Sequence, residues 1–242
     1  MKLENVSYYT ESATAPIVTK KSILSLLLVF IAISLAAAEI TFSPGIGGTV
    51  YTVHSFVEIE NMEDPDASTV SEKAVTYIMP VPSTGIDMHF THESSGFTFS
   101  IINNIGCPIT IFKRGGFGNE KQYVIGSFTD EQILFGYTYG VKQPLSIHCG
   151  IGAGTVIGHF SQWKQAENVS TFYYAVSPLA LHIGLQYLFT QHVGIAASIH
   201  DMLSFSGIFF MHKDSNPNLD KITGAFGLGN TFTLRLAVSF RL

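Results

Sequence analysis

The sequence predicts an all-β fold, an eight-stranded antiparallel up-and-down transmembrane β-barrel preceded by a leader. Three observations carry that class. From residue 39 onward apolar residues recur with a period of two, and no window keeps a 3.6-residue apolar stripe over a helix length. The connections between these runs alternate between short turns and long polar loops, the pattern of a membrane-spanning β-meander. Only 13% of the 242 residues are charged while 46% are apolar, a charged share about half that of a soluble domain.

The same composition excludes several classes. With 19 Phe and 10 Tyr the chain is not a disordered one. Two cysteines rule out a disulfide scaffold and a Cys-based zinc module. A net charge of −5 with 13 Lys plus Arg offers no basic face, so no nucleic-acid partner is expected.

Residues 1–19 are polar and aperiodic and read as an extension, or as a start codon placed too early. Lys20 and Lys21 then precede an apolar run that ends in Ala36, Ala37 and Ala38, so 20–38 is expected to be a signal peptide. A transmembrane helix would need about 20 apolar residues, more than this run supplies. The barrel domain is assigned to 39–242.

Within it strands are expected at 39–57, about 76–92, 97–112 and 121–139, then along the runs of 145–160, 179–189, 193–200 and 222–242. The last is the clearest: Phe226, Leu228, Phe232, Leu234, Leu236, Val238, Phe240 and Leu242 share one face, interrupted by Asn230. Small or polar residues such as Gly229, Thr233, Arg235 and Ser239 share the other. Short turns fall at 93–96, 140–144 and 190–191, and long loops at about 58–75, 107–121, 161–170 and 206–222.

Alternation alone leaves two orientations. An inward apolar face would make a secreted or periplasmic soluble barrel that binds an apolar ligand. An outward one would face lipid. The second is favoured because the other face is crowded with Gly, Ala, Ser and Thr, which fit a narrow eight-stranded interior. Strands such as 145–160 and 222–242 also carry no Lys, Asp or Glu.

On this topology and on the terminal run from Phe232 to Leu242, the chain resembles small outer-membrane barrels of the OmpX, OmpA-barrel and OmpW kind, and also the small barrels of spirochaetes. The terminal strand resembles the insertion signal read by the barrel assembly machinery, although it ends in Leu242 where the usual pattern has an aromatic residue. The resemblance implies residence in the cell outer membrane among lipopolysaccharide-like lipids, with surface-exposed loops. It implies either passage of a small or hydrophobic solute or a role in adhesion and surface integrity, with a host surface ligand as partner in the latter case.

Candidate chemistry is sparse. His148, Gly152, His182, Gln186, His200 and Arg235 are expected to face the lumen. Hairpin registers bring His182 close to His200 and His148 beside His182, so these three imidazoles are candidate metal ligands, set against simple hydrogen bonding in a polar lumen. His89 and His92 in the HFTHE run fall on opposite faces of a strand and are not read as a metal pair. The glycines of 150–154 imitate a nucleotide loop but continue as strand. Ser198 and His200 share a face that Asp201 does not, so no triad, no catalytic residue and no cofactor is expected.

The acidic run of 58–73 reads as a solvated loop, with calcium binding the alternative. Cys107 and Cys149 sit near opposite ends of the barrel and are expected to be free thiols. Phe160, Trp163, Phe172, Tyr173 and Tyr174 at one rim, with Tyr139, Tyr187 and Phe189 at the other, would suit aromatic girdles.

Overall fold

The computed structural model describes residues 38–60, 69–71, 74–115, 120–162, 168–213 and 221–242. The expected extension and, save Ala38, the signal segment lie outside them, as do Trp163 and most of the acidic run. Among the described residues every regular element is a strand.

Strand β1 (Ala38–Glu60) pairs on one side with β3 (Val75–His92) and on the other with the last strand, β10 (Lys221–Arg241), which closes the sheet into a barrel. Between them the chain meanders through β4 (Phe97–Gly106) with β5 (Thr110–Gly115), β6 (Glu120–Tyr139), β7 (Leu145–Gln162), β8 (Asn168–Leu188) and β9 (Val193–Lys213), each antiparallel to its neighbours. The short β2 (Thr69–Ser71) folds back on the loop end of β1. Strands β4 and β5 are one barrel position in two pieces, because both pair with β3 and β6. Pro108 lacks an N–H and breaks the ladder there, while Cys107 N donates to Pro82 O at 3.2 Å and Val124 N to Ile109 O at 3.0 Å on either side of the break. Eight barrel positions result, as the alternation predicts.

The short turns lie where expected. Gly96 at φ 74° and Gly140 at φ 76° take left-handed conformations, joined at the second turn by Lys142 at φ 66°. The long connections are shorter than the sequence indicates, since β5 runs to Gly115, β7 to Gln162 and β9 to Lys213. Ile111 and Phe112 on β5, with Ile208 and Phe209 on β9, continue the apolar runs there and keep those segments paired as strand. The 20 residues of β6 rise about 65 Å along the strand, or about 45 Å along a barrel axis tilted by about 45°. An apolar band is about 25 Å tall, so the barrel projects well beyond it on the loop side.

On the short-turn half the apolar face points outward: Ile46, Ile133, Ile151, Ile183, Leu234 and Leu236 are all exposed. This orientation is that of a lipid-embedded barrel and not of a soluble one. Toward the loop end the interior changes character. Tyr51, Met79, Phe128, Phe160, Tyr173 and Ile208 are buried inside, so the inward face is not uniformly small and polar. Phe160 and Tyr173 therefore belong to this inner core and not to a rim girdle, whereas Phe172 and Tyr174 face outward, as do Tyr139, Tyr187 and Phe189.

Candidate functional site: the lumen

The lumen is filled in layers. At the short-turn rim hydroxyls bond one another across strands: Thr91 with Thr98 at 3.0 Å, Thr98 with Thr138 at 2.7 Å, and Ser43 to Ser239 at 2.9 Å. Gln186 bridges two of these strands, donating from Nε2 to Ser239 Oγ at 2.6 Å and accepting from Ser146 at 3.0 Å. These side chains share one face because strand alternation keeps every second residue inside.

Next comes a stack of four imidazoles. Ring centroids run from His89 to His148 at 4.2 Å, His148 to His182 at 4.9 Å and His182 to His200 at 4.6 Å, with His89 also 5.2 Å from His182. The structure pairs His182 with His200 across β8 and β9 and sets His148 one step away, opposite Gly184. Gly152 is partly buried on the inner face of β7. Partner atoms hold nearly every ring nitrogen. His89 Nδ1 meets Ser100 Oγ at 2.9 Å, His148 meets Ser100 at 3.1 Å and Thr138 at 3.0 Å, and the two Nδ1 atoms of His182 and His200 lie 3.1 Å apart. His182 Nε2 is buried without a hydrogen-bond partner.

Above the imidazoles Arg235 and Asp87 form an ion pair with side chains only 1% and 3% exposed. Ser198 donates to Asp87 Oδ2 at 2.9 Å, and a second guanidinium nitrogen of Arg235 donates to the Asn103 carbonyl at 3.2 Å. Gly85 makes room for it, since a Cβ there would meet the guanidinium and Asn104. Higher still, the buried Asp130 accepts from Asn104 Nδ2 at 2.7 Å and from Tyr51 OH at 3.2 Å. Tyr51 in turn stacks on Phe128 at 4.5 Å, and Phe128 on Phe160 at 5.4 Å.

Sequence reasoning discounted His89 together with His92 and did not single out Asp87. Their parity with Thr91 on β3 puts all three inside, but only barrel closure brings them against β7, β8, β9 and β10. Asp201 faces outward and accepts from Asn230 at 2.7 Å. Asp87, not Asp201, stands beside Ser198 and His200, yet His200 Nε2 faces both at 2.9 and 3.6 Å. A charge-relay order needs the carboxylate and the serine on opposite ring nitrogens.

On β10, Phe232, Leu234, Leu236, Val238 and Phe240 face outward, and Leu242 N donates to Ile40 O at 2.9 Å at the seam with β1. Cys107 and Cys149 are free.

The model of a family described as a domain of unknown function (DUF2715) matches residues 36–242. No curated protein sequence matches the chain. Among solved structures, the outer membrane protein OprG from Pseudomonas aeruginosa superposes with a TM-score of 0.56 at 9% identity, covering 85% of this chain and 96% of that one. A major outer membrane protein from Thermus thermophilus gives 0.53 at 8% identity, over 85% and 100%. Ail, the attachment invasion locus protein of Yersinia pestis, gives 0.38 at 16%, over 84% and 98%. The first two show a likeness of fold alone at these identities: the chain is an eight-stranded barrel of the outer-membrane type.

Proposed function

The chain belongs to the DUF2715 family, and from the layered filling of its lumen we propose that it is an outer-membrane surface protein that anchors a projecting β-platform and its loops and does not conduct through its interior. The observation that carries this is the stack of closures along the axis. An Arg235–Asp87 ion pair is followed by the Asp130, Asn104 and Tyr51 network and then by the Tyr51, Phe128 and Phe160 rings. Each is buried and mutually bonded, so opening a water path would expose an unpaired charge or an apolar core at every level. Function then lies in what the projecting end touches: surface integrity beside lipopolysaccharide-like lipids, or adhesion to a host surface ligand. The outward apolar row of β10 from Phe232 to Leu242 supports a role for this strand as the segment read by the barrel assembly machinery.

Planar-bilayer recording of the refolded chain tests the reading. No unitary steps are expected; steady openings from wild-type protein would refute it. The adhesive role is tested with vesicles bearing the chain on host-cell layers, where exchange of the long connections for short turns abolishes retention.

A second reading, passage of a small hydrophobic solute, has its own support. An apolar trough lies on the outer wall where Gly48, Pro80 and Pro82 offer little side-chain bulk between Leu234 and Ile109, next to the ladder break at Pro108. Uptake of a fluorescent alkane by vesicles, faster with the chain than without it, would favour that reading.

A further inference from the structure

We propose that His89, His148 and His182 form a binding site for a borderline divalent transition ion of the zinc, nickel or cobalt class, with an open fourth position toward the short-turn rim. The three residues come from β3, β7 and β8, and one ligand atom from each lies within 4.8 Å of the others. Nitrogens bound at about 2.0–2.1 Å to a tetrahedral ion stand about 3.4 Å apart, so small side-chain rotations close the set. Imidazole is the ligand such ions favour.

Two independent observations point to a ligand there. His182 Nε2 is a buried ring nitrogen with no partner, and a native structure rarely leaves such an atom unsatisfied. A small cavity large enough for a water molecule reaches from Glu39, Thr138 and Ser146 at the rim to His89, His148 and His182. It supplies an entry path and room for the fourth ligand.

The outer contacts suit a metal site. His89 Nδ1 is held by Ser100, and His182 Nδ1 by His200, whose other nitrogen meets Ser198 and, through it, Asp87. Chains of this kind fix ring orientation and tautomer in metal sites. His148 gives up one of its two hydroxyl contacts and keeps the other. The neighbouring set of Asp87, His182 and His200 is the poorer choice. The Arg235 guanidinium already occupies the Asp87 carboxylate, and its charge opposes a dication at that level.

The test titrates cobalt chloride into the metal-free chain refolded in detergent, reading the visible d–d bands, and then zinc chloride in competition. One equivalent per chain with bands of tetrahedral intensity is expected, displaced by zinc. H89Q and H182Q are expected to lose the bands, while H159Q and H192Q, outside the cluster, keep them. Heat-modifiable migration on a gel checks that each variant is folded. X-ray absorption of the zinc-loaded wild type is the variant-independent measurement and is expected to show three imidazole nitrogens. Absence of one-equivalent binding, fewer than three imidazoles, or bands that survive in folded H89Q and H182Q would overturn the site.

Discussion

The Arg235–Asp87 pair offers the sharpest test of how the lumen holds together. Its two side chains are 1% and 3% exposed, so neither charge has bulk water as an alternative partner. In Arg235→Leu the Asp87 carboxylate keeps only the Ser198 hydroxyl at 2.9 Å and His200 at 3.6 Å. In Asp87→Leu the guanidinium keeps, among the described residues, the Asn103 carbonyl at 3.2 Å. Breaking a buried pair from one side costs about 3–5 kcal/mol, because the survivor remains buried and uncompensated. At about 1.4 kcal/mol per decade that is roughly two to three and a half decades in the folding equilibrium. Replacing both by leucine removes both charges and leaves no cavity, since leucine nearly matches arginine and exceeds aspartate in volume, and a buried pair replaced by apolar residues is often neutral.

The double variant is therefore expected to regain most of what either single variant loses. The assay is urea unfolding of the four proteins in vesicles, followed by far-ultraviolet circular dichroism and compared at unchanged m. If the double variant is as unstable as the two losses added together, the residues are not coupled and the closure at this level is not an ion pair.

Four further outcomes follow from neighbouring contacts. Gly85→Ala pushes a methyl against the Asn103 carbonyl and into the seat of the guanidinium, and a loss of about 1–3 kcal/mol in urea unfolding is expected, only part of it relieved in the Arg235→Leu background. Phe128→Ala leaves Tyr51, Phe160 and Tyr173 without their shared ring; about 3–5 kcal/mol is expected to be lost in urea unfolding, while the Arg235–Asp87 pair and the Asp130 network below keep bilayer recordings silent. Cys149, outward between Ile147 and Ile151 on β7, should resist a charged maleimide in vesicles and react once the chain is unfolded; rapid labelling would place the lipid belt elsewhere. At the short-turn rim, Lys142 donates to Glu93 at 2.5 Å and holds its carboxyl below the ordinary range. A depressed value contributes stability above the unfolded-state pKa and loses it as pH falls through the folded-state one. The pair is solvent-exposed, so Glu93→Gln should lower the melting temperature only slightly at neutral pH, and not at all in strong acid or in about 1 M salt.

The parts of this fold that could be read from the chain are those where the two strand faces differ. On β10 and β7 a row of Leu, Ile and Phe alternates with Gly, Thr and Ser, and the side facing lipid follows directly. The tight turn after β8 fixes a hairpin register closely enough to set His182 near His200. Strand β3 gave less, because Pro80 and Pro82 interrupt it and because His89 drew attention as half of a motif with His92. Its closeness to His148 and His182 depends on closure of the barrel, which local spacing does not encode. Near the loop end both faces are apolar: Phe128 and Phe160 point inward while Tyr123, Ile125 and Phe172 point outward. A period of two then remains visible but loses its sign.

That loss of sign has a physical cause. In the membrane half the barrel wall is solvated by hydrocarbon, so apolar side chains gain little by turning inward and the interior can be given to hydroxyls, imidazoles and one ion pair. Toward the loop end the barrel builds an apolar core of its own, while Tyr123, Ile125 and Phe172 keep the outer face apolar as well. Burial of each large side chain such as Phe128, Phe160 or Ile208 there contributes about 1.5–3 kcal/mol. The interior changes from polar to apolar between the Asp130 network and Phe128. The four imidazoles lie in the polar half below that core, and the cavity at the short-turn rim is, among the described residues, their route to water.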